Sequence, residues 1–494
     1  MSQTSTRPLP SPAIVAQDAV RRFPSWALLL LCAVYVATGF IGREPWRSAD
    51  IAGFGVLFDI IGTSEMAWLI ARIGAAGLMG LTLASTWYAA YYLARRDAAQ
   101  PVPFAFGGEA RPLAYARAIA DGALLAFIAC LGLAQLAHET TAALMQMSAT
   151  ALVFFGLAVY HYHPIKSLVA FLLGTIGLIF AMRGLKLDSS GWASLLSWRQ
   201  SLHMLVWFTW PAWTLAGLAL YKWRQHWLSL RPAVHIALPL LFVLIFLILL
   251  PCVDQKERWF LSALPSLAVL AAFALPTLRR GMKSLIDLFT LFFFSGCAFV
   301  IWVVWLAMQT GVPPQPAANV AKLVPGFVPS FSAPILFLAL AATLAWGWLV
   351  HWRVGKHRPA IWMSIVLPAG GATLCWMLLM SLWLPLLDHA RSYKPLMTLV
   401  QKNLTPNTSP AASCLQTHGL QPAQQAALRY YTDRAVVPAH RGTDCAWLIV
   451  DSEALSNLPE YVQMQDWQFK AQIKRPIHSS ESWGLYRRKV DAQN

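Results

Sequence analysis

The amino-acid sequence predicts an all-α polytopic membrane protein that carries a small C-terminal α/β domain. Three observations predict this fold class. Hydrophobic residues make up 57% of the 494 residues and charged residues only 12%, which is not the composition of a soluble protein with ordinary cores. Apolar runs with the length of a membrane span recur as far as residue 387. Beyond that point, short apolar runs are separated by polar and turn-forming residues, as in a small soluble domain.

About eleven apolar runs are candidates for transmembrane helices, each of which needs roughly 17–25 residues. They occupy roughly 26–41, 67–93, 118–137, 142–160, 165–182, 203–221, 233–251, 260–277, 286–308, 332–350 and 360–385. The first run is short, but no cleavage site of the A-x-A type follows it. We therefore interpret it as a retained first helix and not as a signal peptide.

The distribution of Lys and Arg between these runs predicts the orientation in the membrane. With the N-terminus in the cytoplasm, the inner segments carry about twice as many Lys and Arg residues as the outer loops, as the positive-inside rule requires. The sequence thus predicts a multi-pass protein of the cytoplasmic (inner) membrane whose tail after Leu387 is periplasmic. The net charge of +16 matches anionic membrane lipids at the inner surface, so no nucleic acid is predicted as a partner.

The chain divides into three predicted regions. Residues 1–25, rich in Ser, Pro and Thr, have the composition of a disordered cytoplasmic leader. Residues 26–387 form the transmembrane domain, and residues 388–494 form the α/β domain. In that last region, three strand-like segments start at Cys414, at Ala446 and at Trp483. A helix-like segment starts at Pro422, between the first two. We find no internal repeat of the transporter type, which argues against that class.

Two cysteines, Cys414 and Cys445, lie in the predicted periplasmic domain, where the compartment is oxidising. We therefore predict a disulfide, and closing a loop of about 30 residues stabilises the domain by roughly 3–4 kcal/mol. The spacing is not that of a CxxC pair, so no metal or redox centre is expected there. The other cysteines lie in or beside apolar runs, where a thiol behaves as a small hydrophobe.

Asp50 is the strongest candidate for a catalytic residue. If residues 49–61 form a helix, its apolar side chains gather on one face, and Asp50 points into that face. A carboxylate on the apolar side of an interfacial helix costs free energy unless it has a partner, which makes it a candidate functional residue. The alternative interpretation is that Ser48 or Asp50 caps the helix.

Ionisable residues in the other predicted outer loops complete the candidate site. They are His138 and Glu139 in the second loop, Arg183 and Lys186 in the third, and Lys256, Glu257 and Arg258 in the fourth. Cations in outer loops run against the positive-inside bias, so Lys256 and Arg258 are candidates for binding a lipid phosphate, with Arg183 and Lys186 as the next pair. The alternative for these cations is snorkelling at a helix end. Glu139 is a candidate second acid, although a tight polar turn also serves hydration alone.

Three segments resemble membrane-embedded glycosyltransferases of the GT-C class, in particular the protein O-mannosyltransferase-like group and the lipid A aminoarabinose transferases. Residues Gly42 to Asp50 resemble the first-loop motif D-P-W-x-P-D-E, with Ala49 at the first acid and Asp50 at the second. Residues Gln255 to Pro265 are similar to the segment K-K-E-R-Y-L-L-P-x-x-P. The tail resembles bacterial members at 391–393, 475–476, 481 and 485–488 and at the two cysteines.

This resemblance implies a GT-C-like fold with outer juxtamembrane helices and a polyprenyl-phosphate-linked sugar as the donor. It implies that Asp50 acts on an extracytoplasmic acceptor, namely lipid A, another glycolipid, a polysaccharide or a protein. Lys256 and Arg258 would stabilise the departing phosphate, and Glu139 would be a possible second acid. The neighbouring motif residues would support the first loop; they are Arg43, Glu44, Trp46 and Arg47. Members of this branch look metal-independent, so neither a metal nor a cofactor is predicted.

The sequence therefore predicts an integral membrane glycosyltransferase that uses a lipid-phosphate sugar donor. Two alternatives remain. A transporter or flippase for a lipid-linked sugar would share the cationic site but would need no base, and a non-catalytic assembly partner would need neither Asp50 nor Lys256.

Overall fold

A computed structural model describes residues 11–20, 23–46, 64–103, 108–183, 188, 192, 194–229, 233–355, 360–404, 414–441, 443, 445–474 and 482–489. The α-helices up to the middle of the chain are α1 (Ser25–Phe40), α2 (Ser64–Ala94), α3 (Pro112–Ala129), α4 (Leu133–Leu136), α5 (Ala142–Val159), α6 (Pro164–Ala181), α7 (Leu195–Phe208), α8 (Ala212–Lys222), α9 (Arg224–Trp227) and α10 (Val234–Leu249). The later α-helices are α11 (Lys256–Phe260), α12 (Leu264–Ala272), α13 (Arg280–Thr310), α14 (Pro314–Leu323), α15 (Ala333–Val354), α16 (Met363–Leu382), α17 (Leu384–Arg391), α18 (Lys394–Asn403) and α19 (Pro422–Thr432). Short 3-10 helices lie at Gln17–Val20, Asp97–Ala99, Leu250–Cys252, Leu261–Ala263, Leu275–Thr277, Ser452–Glu460 and Met464–Asp466.

The described part of the chain contains nine helical segments that are long and apolar enough to cross a membrane. They are Met66–Ala94, Pro112–Ala129, Ala142–Val159, Pro164–Ala181, Val234–Cys252, Lys256–Thr277, Arg280–Thr310, Ala333–Val354 and Met363–Leu382. A bent pair of helices and the shorter apolar helix α1 account for the other two predicted runs. The prediction of an all-α polytopic membrane protein is confirmed, and the chain is a multi-pass membrane protein.

The bent pair consists of α7 and α8, whose axes differ by 97°. Pro211 stands at the break, where its ring and its missing N–H prevent one continuous helix. The backbone carbonyls at the break are satisfied from outside the pair: Leu131 N–H donates to Trp210 O at 3.2 Å, and Gly132 N–H donates to Phe208 O at 2.9 Å. Such a break is tolerated within a membrane protein because neighbouring backbone replaces the lost helical hydrogen bonds.

The C-terminal region contains a five-stranded mixed sheet. Its strands are β1 (Cys414–His418), β2 (Ala435–Pro438), β3 (Trp447–Asp451), β4 (Trp467–Lys474) and β5 (Ser482–Arg488). The spatial order is β2-β1-β3-β5-β4. Strand β1 is parallel to β2 and to β3, whereas β5 is antiparallel to β3 and to β4. The predicted small α/β domain is therefore present.

Strand β3 is buried on both faces, which explains its continuous apolar run. Trp447 and Ile449 belong to a core that also contains residues of α18 and α19, while Leu448 and Val450 belong to a core with Trp467 and Tyr486. A disulfide joins Cys414, at the start of β1, to Cys445, two residues before β3, with Cα atoms 5.3 Å apart. It thus fixes the central pair of parallel strands near their N-terminal ends.

The chain forms two compact units. The first contains residues 1–41, 74–300 and 334–381, and the second contains residues 42–73, 301–333 and 382–494. Within the first unit, Ala16 forms a β-bridge with Glu109 and Val15 is buried, so residues 11–20 make defined contacts. The three predicted regions, 1–25, 26–387 and 388–494, stay predictions.

Candidate active site

An ion pair between Glu139 and Arg258 lies at the centre of the candidate site in the first unit. Arg258 Nη2 donates to Glu139 Oε2 at 3.0 Å, and Gln135 Nε2 donates to Glu139 Oε1 at 3.1 Å. The Glu139 side chain is only 4% exposed, while that of Arg258 is 29% exposed. The guanidinium therefore compensates the charge of a buried carboxylate and still reaches the surface.

The turn that carries Glu139 is held by its neighbour His138. The His138 ring is fully buried, lies 2.9 Å from the carbonyl oxygen of Tyr35 through Nε2, and contacts the rings of Tyr35, Phe40 and Trp376. Gly39 is required for this contact, because a Cβ atom there would lie 2.1 Å from the ring. His138 thus acts as an anchor that sets the direction of the following Glu139.

The helix α11, which carries Arg258, is anchored by Trp259. Trp259 is buried, and its Nε1 donates to Phe246 O at 3.0 Å in α10. The preceding turn receives backbone and side-chain bonds from the third predicted outer loop: Asp188 N–H donates to Cys252 O at 2.9 Å, and Ser197 Oγ donates to Pro251 O at 2.9 Å. Residues of three predicted outer loops are therefore fixed beside one another.

A cavity of about 310 Å³ opens beside the ion pair. Its lining includes the guanidinium-bearing residues Arg183 and Arg258, the carboxylate of Asp254, and the amides of Gln146 and Gln255. Arg183 also stacks on Phe180, with its guanidinium carbon 4.5 Å from the ring centroid. Two guanidinium groups and one carboxylate therefore line this cavity, and its volume falls within the usual range of small-molecule sites, roughly 300–1,000 Å³.

The side-chain amide of Gln146 is buried, and its N–H donors have no acceptor among the residues that the structure describes. The residue is 8% exposed, and Nε2 has no hydrogen-bond partner among the described residues. An unsatisfied buried donor costs roughly 1–3 kcal/mol, so its retention beside the cavity needs a reason. A ligand with acceptor oxygens would supply the missing partner.

Lys256 faces a different part of the first unit. Its Nζ donates to Ser197 Oγ at 2.9 Å and approaches Gln200 Oε1 at 3.5 Å, both on α7. Next to it, a second cavity of about 700 Å³ is lined by polar residues such as Gln200 and Arg199 and by apolar ones such as Trp207. The structure therefore brings Arg258 together with Arg183, not with Lys256. Lys186 lies outside the described residues.

The predicted first-loop site is described only in part. Asp50 and Arg47 lie outside the described residues, so the role of Asp50 stays a prediction. Glu44 and Trp46 are described within the second unit, where Lys394 Nζ pairs with Glu44 Oε1 at 2.7 Å and Tyr431 Oη donates to Glu44 Oε2 at 3.4 Å. Burial raises the pKa of the Tyr431 hydroxyl, and the charge of Glu44 raises it further.

Asp388 is a functional candidate that was not predicted from the sequence. Its Oδ1 accepts a hydrogen bond from Trp46 Nε1 at 2.7 Å, and its Oδ2 accepts one from the Glu44 backbone N–H at 3.4 Å. Burial raises the pKa of Asp388 to about 6, against the lowering effect of these two hydrogen bonds. Its position directly after the last apolar run, three residues before the Arg391-Ser392-Tyr393 segment, was a signal that could have identified it.

The indole of Trp46 is also contacted by two guanidinium groups. Arg43 lies 4.6 Å and Arg391 lies 5.0 Å from its ring centroid. Arg43 and Trp46 are each 3% exposed. Arg43, Glu44 and Trp46 thus lie in one compact cluster with Asp388 and Arg391.

Comparison with solved structures gives two similar chains. The chain is similar to ArnT from Cupriavidus metallidurans bound to undecaprenyl phosphate, with a TM-score of 0.51 and 13% sequence identity over 95% of this chain and 98% of that chain. The second is ArnT from the same organism in the apo state, with a TM-score of 0.46 and 13% identity over 96% and 94% of the two chains. Neither protein-family models nor curated protein sequences give a match. The first comparison shows that the chain has the GT-C fold of ArnT, so the resemblance found in the sequence is confirmed at the level of the fold.

Proposed function

We propose that the protein is a GT-C glycosyltransferase that moves a sugar from a polyprenyl phosphate to an acceptor outside the cytoplasm. The observation that carries this proposal is the cavity that Arg183 and Arg258 share. Two guanidinium groups at one small cavity suit a phosphate group, which they bind with planar, charge-assisted hydrogen bonds. The GT-C fold, and the undecaprenyl phosphate bound in the ArnT structure, support the same chemistry.

The donor phosphate is proposed to bind in the cavity of about 310 Å³. Arg258 reaches it while its Nη2 holds Glu139, so the guanidinium is fixed before the ligand arrives and loses little rotamer entropy on binding. The amide of Gln146 offers a donor to a phosphate or sugar oxygen. In this arrangement Glu139 orients Arg258, which is a different role from that of a second acid.

Sugar transfer requires a base and a stabilised leaving group. The acceptor nucleophile attacks the anomeric carbon, the bond from that carbon to the phosphate oxygen breaks, and the electron pair remains on the phosphate. Asp50 is proposed to take the proton of the nucleophile, which typically contributes 10²–10⁴ in rate. The arginines stabilise the charge that develops on the phosphate, an effect of comparable or larger size.

The topology proposed for this function places the site at the outer face of the inner membrane, with a cytoplasmic N-terminus and a periplasmic C-terminal domain. The disulfide between Cys414 and Cys445 supports this orientation, because such bonds persist in oxidising compartments. Lipid A, other glycolipids, polysaccharides and proteins are all candidate acceptors at that face.

Binding of the donor lipid tests the site directly. Purified protein is titrated with undecaprenyl phosphate, and with uncharged undecaprenol as a ligand control. Arg183→Ala is expected to weaken binding of the phosphate at least about tenfold, and Arg258→Lys to weaken it partly, because a point charge cannot replace a bidentate fork. Lys322→Ala, which removes an exposed cation from α14, is the matched control and is expected to bind as the wild type does. Equal affinity in all four proteins would place the phosphate elsewhere.

Transfer itself is tested by mass spectrometry of envelope glycolipids and glycoproteins from cells with and without the gene. Loss of a sugar mass identifies the transferred sugar and its acceptor, and Asp50→Asn is expected to reproduce the loss. Cells in which Asp50→Asn leaves the sugar in place would contradict the transferase and favour a flippase. Equal glycans with and without the gene would exclude both.

A further inference from the structure

One carboxylate of the C-terminal region accepts two hydrogen bonds from residues 44–46, which precede the stretch that contains Asp50. Asp388, on α17, accepts the Trp46 indole N–H with one oxygen at 2.7 Å and the Glu44 backbone N–H with the other at 3.4 Å. Trp46 also forms a β-bridge with Ser392, at the end of the same helix. All these residues belong to the second unit.

The local backbone needs such an anchor. After α1 ends at Phe40, residues 41–46 form no helix or strand that would fix them through a hydrogen-bond ladder. Yet Arg43, Pro45 and Trp46 are buried, and Ser392, the bridge partner of Trp46, is 1% exposed, so the second half of the segment is closely packed. Contacts with α17 and with Ser392 at its end therefore fix this segment in place of a regular hydrogen-bond ladder.

The other flank of residues 47–63 is also contacted by the C-terminal region. Ala67, Trp68 and Ala71, near the start of α2, form a small core against which Tyr430 of α19 packs. Tyr431, the next residue, donates to Glu44 on the first flank. Contacts from one region thus fix the chain on both sides of the stretch that contains Asp50.

A carboxylate is an expensive choice for position 388 if stability alone matters. Burial disfavours its ionised form, and an apolar side chain or a neutral amide would avoid that cost. An ionised carboxylate has one property that an amide lacks, because both of its oxygens accept hydrogen bonds. The two donors of the first-loop segment use both oxygens.

We propose that Asp388 is a positioning residue that fixes Glu44 and Trp46 and thereby sets the place of Asp50 for sugar transfer. This inference rests on the proposed role of Asp50. Asp388 acts on the loop and not on the substrate. The chemistry therefore depends on a contact that the C-terminal region makes with the first loop.

The experiment compares the full-length wild type with Asp388→Asn, Trp46→Phe, the double variant, and Glu460→Gln as an exposed carboxylate control in the same region. Hydrogen–deuterium exchange of residues 43–46 reports the anchoring without reference to activity. Steady-state transfer reports the catalytic consequence per folded molecule. Trp46→Phe removes only the indole donor and keeps an aromatic ring, so it tests the same contact if Asp388→Asn folds poorly.

Both single variants are expected to exchange faster at residues 43–46 and to lower kcat at least about tenfold, with less than about a threefold change in the KM of the donor. The effect of the double variant is expected to be smaller than the two single effects combined, since both changes act on the same contact between Asp388 and the first-loop segment. Unchanged exchange in Asp388→Asn, or faster exchange with wild-type kcat, would overturn the inference. A wild type without any transfer overturns the proposed function instead, and exchange then decides the anchoring by itself.

Discussion

Removal of Arg258 is expected to destabilise the first unit by about 3–5 kcal/mol. The side chain of Glu139 is 4% exposed, so Arg258→Ala leaves a buried carboxylate without its counter-ion. The hydrogen bond from Gln135 remains and partly compensates, which places the expected value near the lower end, at about 3 kcal/mol. The same carboxylate made neutral, as in Glu139→Gln, needs no counter-ion.

A double-mutant cycle separates the ion pair from other effects of the two side chains. In the background of Glu139→Gln, Arg258→Ala is expected to cost less than about 1 kcal/mol, which gives a coupling energy of about 2 kcal/mol. Equilibrium unfolding of the purified protein in mixed micelles measures the four free energies. Lys322→Ala is the control and is expected to change stability by less than about 0.5 kcal/mol. Additive costs in the cycle would show that the ion pair does not hold this site together.

Three further predictions address other parts of the molecule. Gln146→Leu is expected to leave the unfolding free energy unchanged or raise it by about 1 kcal/mol, while it weakens binding of undecaprenyl phosphate; unaltered binding would show that the amide does not contact the ligand. Cys414→Ser is expected to cost about 3–4 kcal/mol of domain stability, and peptide mass spectrometry without reduction is expected to find Cys414 linked to Cys445, not as two free thiols. For Asp388, the folded pKa of about 6 lies above the unfolded value of 3.8, so the native state holds its proton more tightly and stability falls as pH rises between these values. The loss from pH 4 to pH 7 is expected to be about 2 kcal/mol larger in the wild type than in Asp388→Asn, and parallel pH curves would refute it.

The membrane part of the fold was predictable because each span is encoded locally. Each apolar run corresponds to one candidate membrane span, to the shorter helix α1 or, for the run at 203–221, to a bent pair broken at Pro211. In the sheet, only the three inner strands, β1, β3 and β5, were predicted from the sequence. Strand β3 carries a continuous apolar run because it has neighbours on both sides and is buried on both faces, whereas the missed strands β2 and β4 are the two edges of the sheet. Strand β2 has only four residues and ends at Pro438, so its signal is short, whereas β4 alternates apolar and polar residues from Trp467 to Lys474, a pattern that could have identified it.

The candidate site was predictable in its residue types and not in its pairings. Glu139 and Arg258 are 119 residues apart in sequence, and Trp46 and Asp388 are 342 apart, so only tertiary structure joins them. The sequence does, however, indicate that the side chains of Lys256 and Arg258 point in different directions. Lys256 and Arg258 are two positions apart on a helix, and such residues do not face each other. Helical geometry alone therefore argues against one phosphate held by both.

Both units keep ionisable side chains in places where apolar ones would cost less. In the first unit a buried carboxylate is matched by Arg258, and in the second the buried Asp388 is matched by two N–H donors of the first loop. Such arrangements rarely add stability over well-packed apolar residues, but removing one partner is costly. Each therefore holds a particular side chain in one place: Glu139 holds a guanidinium at a cavity, and Asp388 holds the segment that leads to Asp50. The proposed sugar transfer would use both arrangements, because it requires a stabilised leaving group and a base at fixed positions.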